Sequence, residues 1–475
     1  MSIACGERFT IFFDKHGRLF FTGELGIFDE PTRQSGKLCV PYLIEMPEKI
    51  HQVAAGRQHC AVVTKSRKLY MMGSSNCGQL GVGNENKDVP TLVNPDLFDK
   101  NEKILMADCG CMHTAVVTER GHVYSFGFGG HGQLGHGAMD EMPIASFWHD
   151  GKNSYTATVP TKVDPSFFND EHVVLVSLGE EHSAMLTKEG NVYTCGDNGW
   201  GQLGHNDKQA KSVPTQINRE YFNNKNVKFI AAGNFHMAAI TEDDELYMWG
   251  CIHDYRIYFV QKNMLRPQLA SVFGKVHGVA CGVKHTLIIR KDEREEGSIC
   301  GFGSQQFGQV NGTFQFRAAS LKRLWVKEKF VAVAASDTHS AALTVQGTIW
   351  TWGSNAFNQL GHKWPKNLTD AYVRQNPSSD IDRIWRPQAI TDFMPVMKMQ
   401  PLAPVGTFSL DPEIEKIITA TTGDSAETTS FLLRLPYELR NKILNNVDET
   451  REWPQEQYRA TMILLGMLSL LENKK

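Results

Sequence analysis

Between Ala107 and Gly135 the chain reads ADCGCMHTAVVTERGHVYSFGFGGHGQLG. Gly110 follows a small residue, His113 comes next, and an apolar run alternates from Ala115 to Val117. A polar turn, Glu119 to Gly121, leads to a second apolar run, Val123 to Phe126, which Gly127 ends. Gly-Gln-Leu-Gly closes the stretch at 132–135. Period-two alternation on either side of a tight polar turn predicts two short antiparallel strands.

The same pattern recurs along the chain. Gly56, His59 and Gly73 open one copy, which ends at Gln79-Leu80-Gly81, and Gly179, His182 and Gly196 open another, which ends at Gln202-Leu203-Gly204. Further copies carry Gly233, His236 and Gly250; Gly282, His285 and Gly303; and His339 and Gly353. The first copy is degenerate, with Gly6, Phe9 in the histidine slot, and Gly23. After each copy comes a polar turn and a further run, usually with a proline: Val40-Pro41, Val89-Pro90, Val159-Pro160, Val213-Pro214, Arg266-Pro267 and Arg386-Pro387. Each unit therefore holds about four short strands in roughly fifty residues, a period typical of propeller blades. A lone four-stranded blade leaves both faces uncovered, and radial packing covers them. Seven copies predict an all-β, seven-bladed β-propeller over residues 1–397.

Composition changes this picture little. A formal net charge of -3 gives no global attraction to nucleic acid or anionic lipid. The longest apolar run, Met462 to Leu471, is too short to span a bilayer. Met1-Ser2-Ile3 runs directly into the first copy, so no secretory leader is read there. Of ten cysteines, Cys5, Cys109 and Cys281 occupy the slot before the repeat glycine, where Ala55, Ala232, Ala335 and Leu178 stand elsewhere. Cys195 shares a slot with Phe126, Trp249 and Trp352. Such slots are apolar packing positions. With neither a zinc spacing nor a disulfide framework, the expectation is no metal, no cofactor and a reducing, intracellular setting, cytoplasmic or nuclear. A histidine at one offset in each blade is framework, expected to satisfy backbone near the repeat glycine. Gly127-Phe-Gly129-Gly-His-Gly132 matches G-x-G-x-x-G, but Gln-Leu-Gly follows it where a dinucleotide site needs a helix, so it reads as a blade turn.

The set Gly110, His113, Thr114, Gly121, Val123, Tyr124, Gly127 and 132–135, repeated at Gly179, His182, Ser183, Gly190, Val192, Tyr193, Gly196 and 201–204, resembles the regulator of chromosome condensation repeat family. That resemblance implies a seven-bladed propeller. It also implies a choice of functions, because the founding member exchanges nucleotide on the Ran GTPase while other members are interaction modules.

Function is then sought outside the repeat. An insertion over 137–158 places Phe147, Trp148, His149, Asp150 and Tyr155 on a polar loop, and these are candidate partner contacts. The fifth copy loses Gln-Leu-Gly and carries Tyr255, Arg256, Tyr258 and Phe259 instead, read as a repacked blade or a second aromatic contact. A Pro-rich linker is expected at 398–412, and a half repeat at 413–433 is expected to close the ring. From 434 to 475 the period becomes helical, with Leu435, Leu439, Ile443, Leu444 and Val447 on one face and Pro436 in the first turn. L-P-x-E-L-x-x-x-I-L resembles the opening of an F-box, which implies that Leu435, Pro436, Leu439, Ile443 and Leu444 contact a Skp-type ubiquitin-ligase adaptor. No singular nucleophile, acid pair or ligand cluster points to hydrolase, kinase or metalloenzyme chemistry. Three readings remain: a non-enzymatic protein-interaction platform, a guanine-nucleotide exchange factor for a Ran-type small GTPase, and an F-box-like substrate receptor. Neither nucleic-acid nor membrane binding is expected.

Overall fold

The computed structural model describes residues 2–25, 40–137, 155–252, 262–270, 274–291, 297–312, 322–362 and 387–391. The described residues form seven four-stranded antiparallel sheets, each contiguous in sequence, over 2–44, 50–92, 104–162, 173–216, 227–269, 276–323 and 330–389. The first strand of each sheet packs on the first strand of the next, and Phe330–Ala335 of the seventh packs on Ser2–Cys5 of the first, so the ring closes. The expected linker, half repeat and helical tail at 398–475 lie outside the described residues.

The hydrophobic alternation has a direct packing cause. In the strand His113–Thr118 every residue is buried. Val116 enters a core shared with Ala61, Val63 and Met71 of the second blade, while Ala115 and Val117 enter one shared with Val173, Val176 and Met185 of the fourth. Successive side chains point to opposite faces, and both faces are covered by neighbouring blades. The following strand runs Val123–Phe128, two residues beyond the run read from sequence. Gly127 lies within it at φ 105°, and the ladder shifts register there. A Cβ on Gly127 would stand 2.5 Å from the Met112 carbonyl oxygen and 2.7 Å from His113 Cα. The Gly-rich segment after it is a turn, as its sequence indicates: Gly132 N–H donates to the Gly129 carbonyl and Gly135 N–H to that of Gly132.

The repeat histidines hold blades together, but not through their own backbone. Nε2 of His59, His113, His236, His285 and His339 lies 2.9–3.0 Å from the hydroxyl of Thr114, Ser183, Thr286, Ser340 and Thr10, each on the next blade around the ring. The hydroxyls of Thr114, Ser183, Ser340 and Thr10 donate to the carbonyls of Gln79, Gln133, Gln309 and Gln359. Each of these oxygens therefore accepts from its histidine, which places a proton on Nε2. Where the acceptor is missing, the pattern changes consistently. Phe9 takes the histidine slot where Cys60 takes the hydroxyl slot, whereas His182 faces Met237 and its Nε2 has no partner. The glutamines are used twice, since the side-chain oxygens of Gln79, Gln133, Gln202, Gln309 and Gln359 accept from the amides of Cys77, His131, Trp200, Phe307 and Phe357. Their carbonyls serve the next blade, so Gln-Leu-Gly is an inter-blade clamp.

Three of the loops between blades share another device. Asn94, Asp164 and Asn218 cap short 3-10 turns, accepting from the amides of Asp96, Ser166 and Glu220. Phe98, Phe168 and Phe222 then bury edge-on against Tyr124, Tyr193 and Tyr247, with ring centroids 5.0, 5.4 and 5.5 Å apart.

Candidate interaction face

A four-stranded meander puts its first and third connections on one side of the ring. The first connections carry the residue after the repeat glycine, and these residues surround the mouth of a central cavity of about 600 Å³: Glu7, Arg57, Cys111, Glu180, Val283 and Asp337, with Asn234 beside Glu180. Backbone closeness sets the ring. The amides of Arg57, Cys111 and Val283 donate to the carbonyls of Gly110, Gly179 and Ser336 on the next blade. A Cβ on Gly110 would lie 2.6 Å from the Gly179 carbonyl oxygen and 2.3 Å from His113 Cε1, which is why glycine stands before the mouth residue.

The mouth has mixed charge with an acidic surplus. Glu7 pairs with Arg57 at 3.0 Å, and Arg57 also reaches the Cys111 sulfur at 3.8 Å. The Glu180 carboxylate accepts from the Asn234 amide at 2.9 Å. Burial raises the pKa of Glu180, Glu181 and Asp337, with Arg57, His131 and Lys284 opposing it in part. Burial pushes the Cys111 thiol up to about 11, which leaves it protonated and unreactive at neutral pH. Inside the cavity, burial raises Asp108 to about 7 although it accepts from the Leu178 amide at 2.8 Å.

Aromatic residues of the third connections surround this mouth. Trp200 and Phe307 are 36% and 38% exposed. Trp200 packs edge-on against Phe235 with centroids 6.0 Å apart, and the Arg8 guanidinium lies 4.4 Å from the Phe357 ring centre. Rigid aromatics around a partly desolvated charge ring form a surface suited to macromolecular docking. The repeat histidines stand behind it, held neutral by burial, with His59 lowered to about 4 and His113 to about 3.

Of the residues picked out from sequence, Phe147, Trp148, His149 and Asp150 lie outside the described residues, as do Tyr255, Arg256, Tyr258 and Phe259. So do Leu435, Pro436, Leu439, Ile443 and Leu444. Tyr155 is described and half-buried; its hydroxyl lies 2.9 Å from His136 Nδ1 and its ring sits edge-on to that histidine. It also packs on the core that the second and third blades share. One group of ligand-type side chains escaped the sequence reading, because His122 lies 20 residues beyond Glu102: Asp99, Glu102 and His122 bring their ligand atoms within 4.8 Å of one another. Lys162 pairs with Asp99 at 2.7 Å, and His122 Nδ1 lies 2.9 Å from Glu102. Nine cysteines are described, and all nine are free thiols. Among the described residues no helix is long and apolar enough to cross a membrane.

The ring of contiguous four-stranded sheets, with its glycine-spaced mouth, defines a repeat-built β-propeller with an interaction face. The chain belongs to the RCC1-like domain family, whose model matches residues 100–403, and RCC1 repeats match at 68–117 and 50–79. It is 34% identical over 318 residues to the X-linked retinitis pigmentosa GTPase regulator of Homo sapiens, a match covering 65% of this chain and 28% of that protein. It is 29% identical over 321 residues to the ultraviolet-B receptor UVR8 of Arabidopsis thaliana, covering 66% and 67%. Among solved structures, Prp20p of Saccharomyces cerevisiae superposes with a TM-score of 0.62 at 20% identity, covering 80% of this chain and 88% of that one. Human WBSCR16 superposes with a TM-score of 0.60 at 21% identity, covering 82% and 97%. At these identities the two structures speak to the fold alone.

Proposed function

We propose that the protein is a non-enzymatic binding platform whose protein partner docks on the mouth face, over Glu7, Arg57, Glu180 and Asp337 and the aromatics Trp200, Phe235, Phe307 and Phe357. The observation that carries this reading is the pairing of desolvated carboxylates with exposed aromatics on a backbone-stitched rim. The partner's class is a small GTPase. Family membership supports it, as does the name of the human GTPase regulator. Exchange needs no nucleophile, only a rigid surface that binds the nucleotide-free form better than the loaded one. The test is release of a fluorescent GDP from a panel of small GTPases by the full-length chain. Acceleration on one of them, lost in Glu180→Lys with Asp337→Lys, supports exchange. Binding without acceleration supports the platform alone, and binding unchanged by the double variant removes the mouth as its site.

A further inference from the structure

The cavity behind the mouth holds a charge at a level where the other blades have none. Its wall is made by the first strands of the blades, which keep one register against their second strands. At one level of that wall the third blade places Asp108, and the other six place Ala4, Ala54, Ser177, Ala231, Ala280 and Ala334. Asp108 is half-buried, and its carboxylate accepts from the Leu178 amide of the next blade at 2.8 Å. That bond needs no charge. One blade further on, the Ser177 hydroxyl oxygen accepts from the Ala232 amide at 2.9 Å. Gln52 does the same work for the Ala107 amide and carbonyl, at 3.0 and 2.7 Å. Among the described residues no lysine, arginine or histidine forms an ion pair with Asp108. The carboxylate therefore brings a charge that its structural bond does not use.

Two residues further from the mouth the same wall turns apolar. Met106, Leu175 and Phe229, on the third, fourth and fifth blades, share one level and line the cavity. Met106 and Leu175 are half-buried, and Phe229 is 36% exposed although it lies inside the strand Val227–Ala232. The rise of a strand sets this level about 7 Å from that of Asp108. At the entrance Glu7, Glu180 and Asp337 stand against Arg57 and Lys284, and Arg57 is already paired with Glu7. The field over the entrance thus favours a cation. A cavity of about 600 Å³, with a carboxylate near its mouth and an apolar wall deeper on the same side, has the size and polarity of a site for an organic cation.

We infer that the central cavity is a binding site for an alkylammonium, its nitrogen against Asp108 and its alkyl chain along Phe229, Leu175 and Met106. A free amine and a lysine side chain of another protein share that chemistry. The site is independent of the docking reading, because its test needs no GTPase. Hexylammonium chloride is titrated into the full-length chain and read by calorimetry, beside hexanol, hexanoate and ethylammonium. Hexylammonium binds, hexanol and hexanoate bind at least roughly tenfold more weakly, and ethylammonium loses about fourfold for each methylene it lacks. Asp108→Asn keeps an acceptor for the Leu178 amide and melts like the parent, yet weakens hexylammonium about tenfold and leaves hexanol unchanged. Phe229→Ala weakens both, and Phe229→Leu recovers most of that loss. An N-acetylated Gly-Lys-Gly peptide that displaces hexylammonium assigns the cavity to a protein side chain, and one that does not assigns it to free amines. Equal binding of hexanol and hexylammonium, undiminished binding by Asp108→Asn or Phe229→Ala, or no binding of hexylammonium overturns the assignment. At high salt Glu180→Lys with Asp337→Lys still binds hexylammonium, and loss of binding there overturns it too, by moving the site to the rim.

Discussion

At the His59–Thr114 and His182–Met237 joints the same inter-blade contact is made in two ways, and stability separates them. His59 and Thr114 are both fully buried, and the threonine hydroxyl accepts from one and donates to the Gln79 carbonyl. Thr114→Val leaves a buried N–H and a buried carbonyl unpaired, so chemical denaturation reads a loss of roughly 1–3 kcal/mol. His182 has no hydrogen-bond partner at either ring nitrogen, and Met237 stands where the hydroxyl should be. The first blade already shows the apolar alternative, Phe9 facing Cys60, with a phenyl ring over its own repeat glycine. His182→Phe therefore changes stability by less than about 1 kcal/mol at neutral pH, because it deletes a desolvated imidazole that nothing compensates. A large loss in that variant contradicts the partner assignment.

At the scale of strands and the relays between them, five imidazoles act together on pH dependence. Burial lowers His59 and His182 to about 4, and His113, His285 and His339 to about 3. In the unfolded chain they titrate near 6.5. Above that value neither state is protonated and nothing is lost. As pH falls from 6.5 towards 4 the unfolded state takes up protons that the folded state refuses, and stability drops by about 1.4 kcal/mol per pH unit for each histidine. Asp108, raised to about 7, works in the other direction between 7 and its ordinary value, and the raised Glu180, Glu181 and Asp337 add to it. Five full burials outweigh one full burial and three partial ones. Denaturation at pH 5.5 reads a stability several kcal/mol below that at pH 7.5, and His182→Phe flattens that slope by roughly one proton. The second and third strands of each blade were legible in the primary structure because both their faces are covered, which imposes apolar runs, and because Gly127 and its counterparts must approach a neighbouring backbone. The relay partners were not, since Thr114 lies 55 residues beyond His59 and carries no local signal of contact. The mouth was hidden for a related reason: Glu7, Arg57, Cys111 and Val283 share a slot but no chemistry, and only closure of the ring makes them neighbours.

Closure is the property of the whole molecule that decides whether the ring stands without its C-terminal part. Propellers often join their ends by sharing a blade between the two termini, and a half repeat at 413–433 would act in that way if it completed a sheet. Among the described residues, Ser2–Ile44 and Phe330–Ala389 each supply four strands to their own blade. The first and last blades meet as any other pair does. Ile3, Phe12, Phe20, Leu343, Ile349 and Ile390 form one core between them, the hydroxyl of Thr10 accepts from His339 and donates to the Gln359 carbonyl, and that of Thr22 donates to the Asn358 carbonyl. Two truncations of opposite kind test which closure operates. A chain ending at 399 retains this joint and melts within a few degrees of the full chain, whereas closure by the half repeat requires a sharp fall. Phe12→Ala, which opens the joint at a side chain 1% exposed, loses about 3–5 kcal/mol. Propeller cooperativity turns that local loss into a lower melting temperature for all seven blades, because a ring opened at one interface exposes the faces of both adjoining sheets. A chain ending at 399 that melts early, beside a Phe12→Ala variant that melts normally, assigns closure to the half repeat instead.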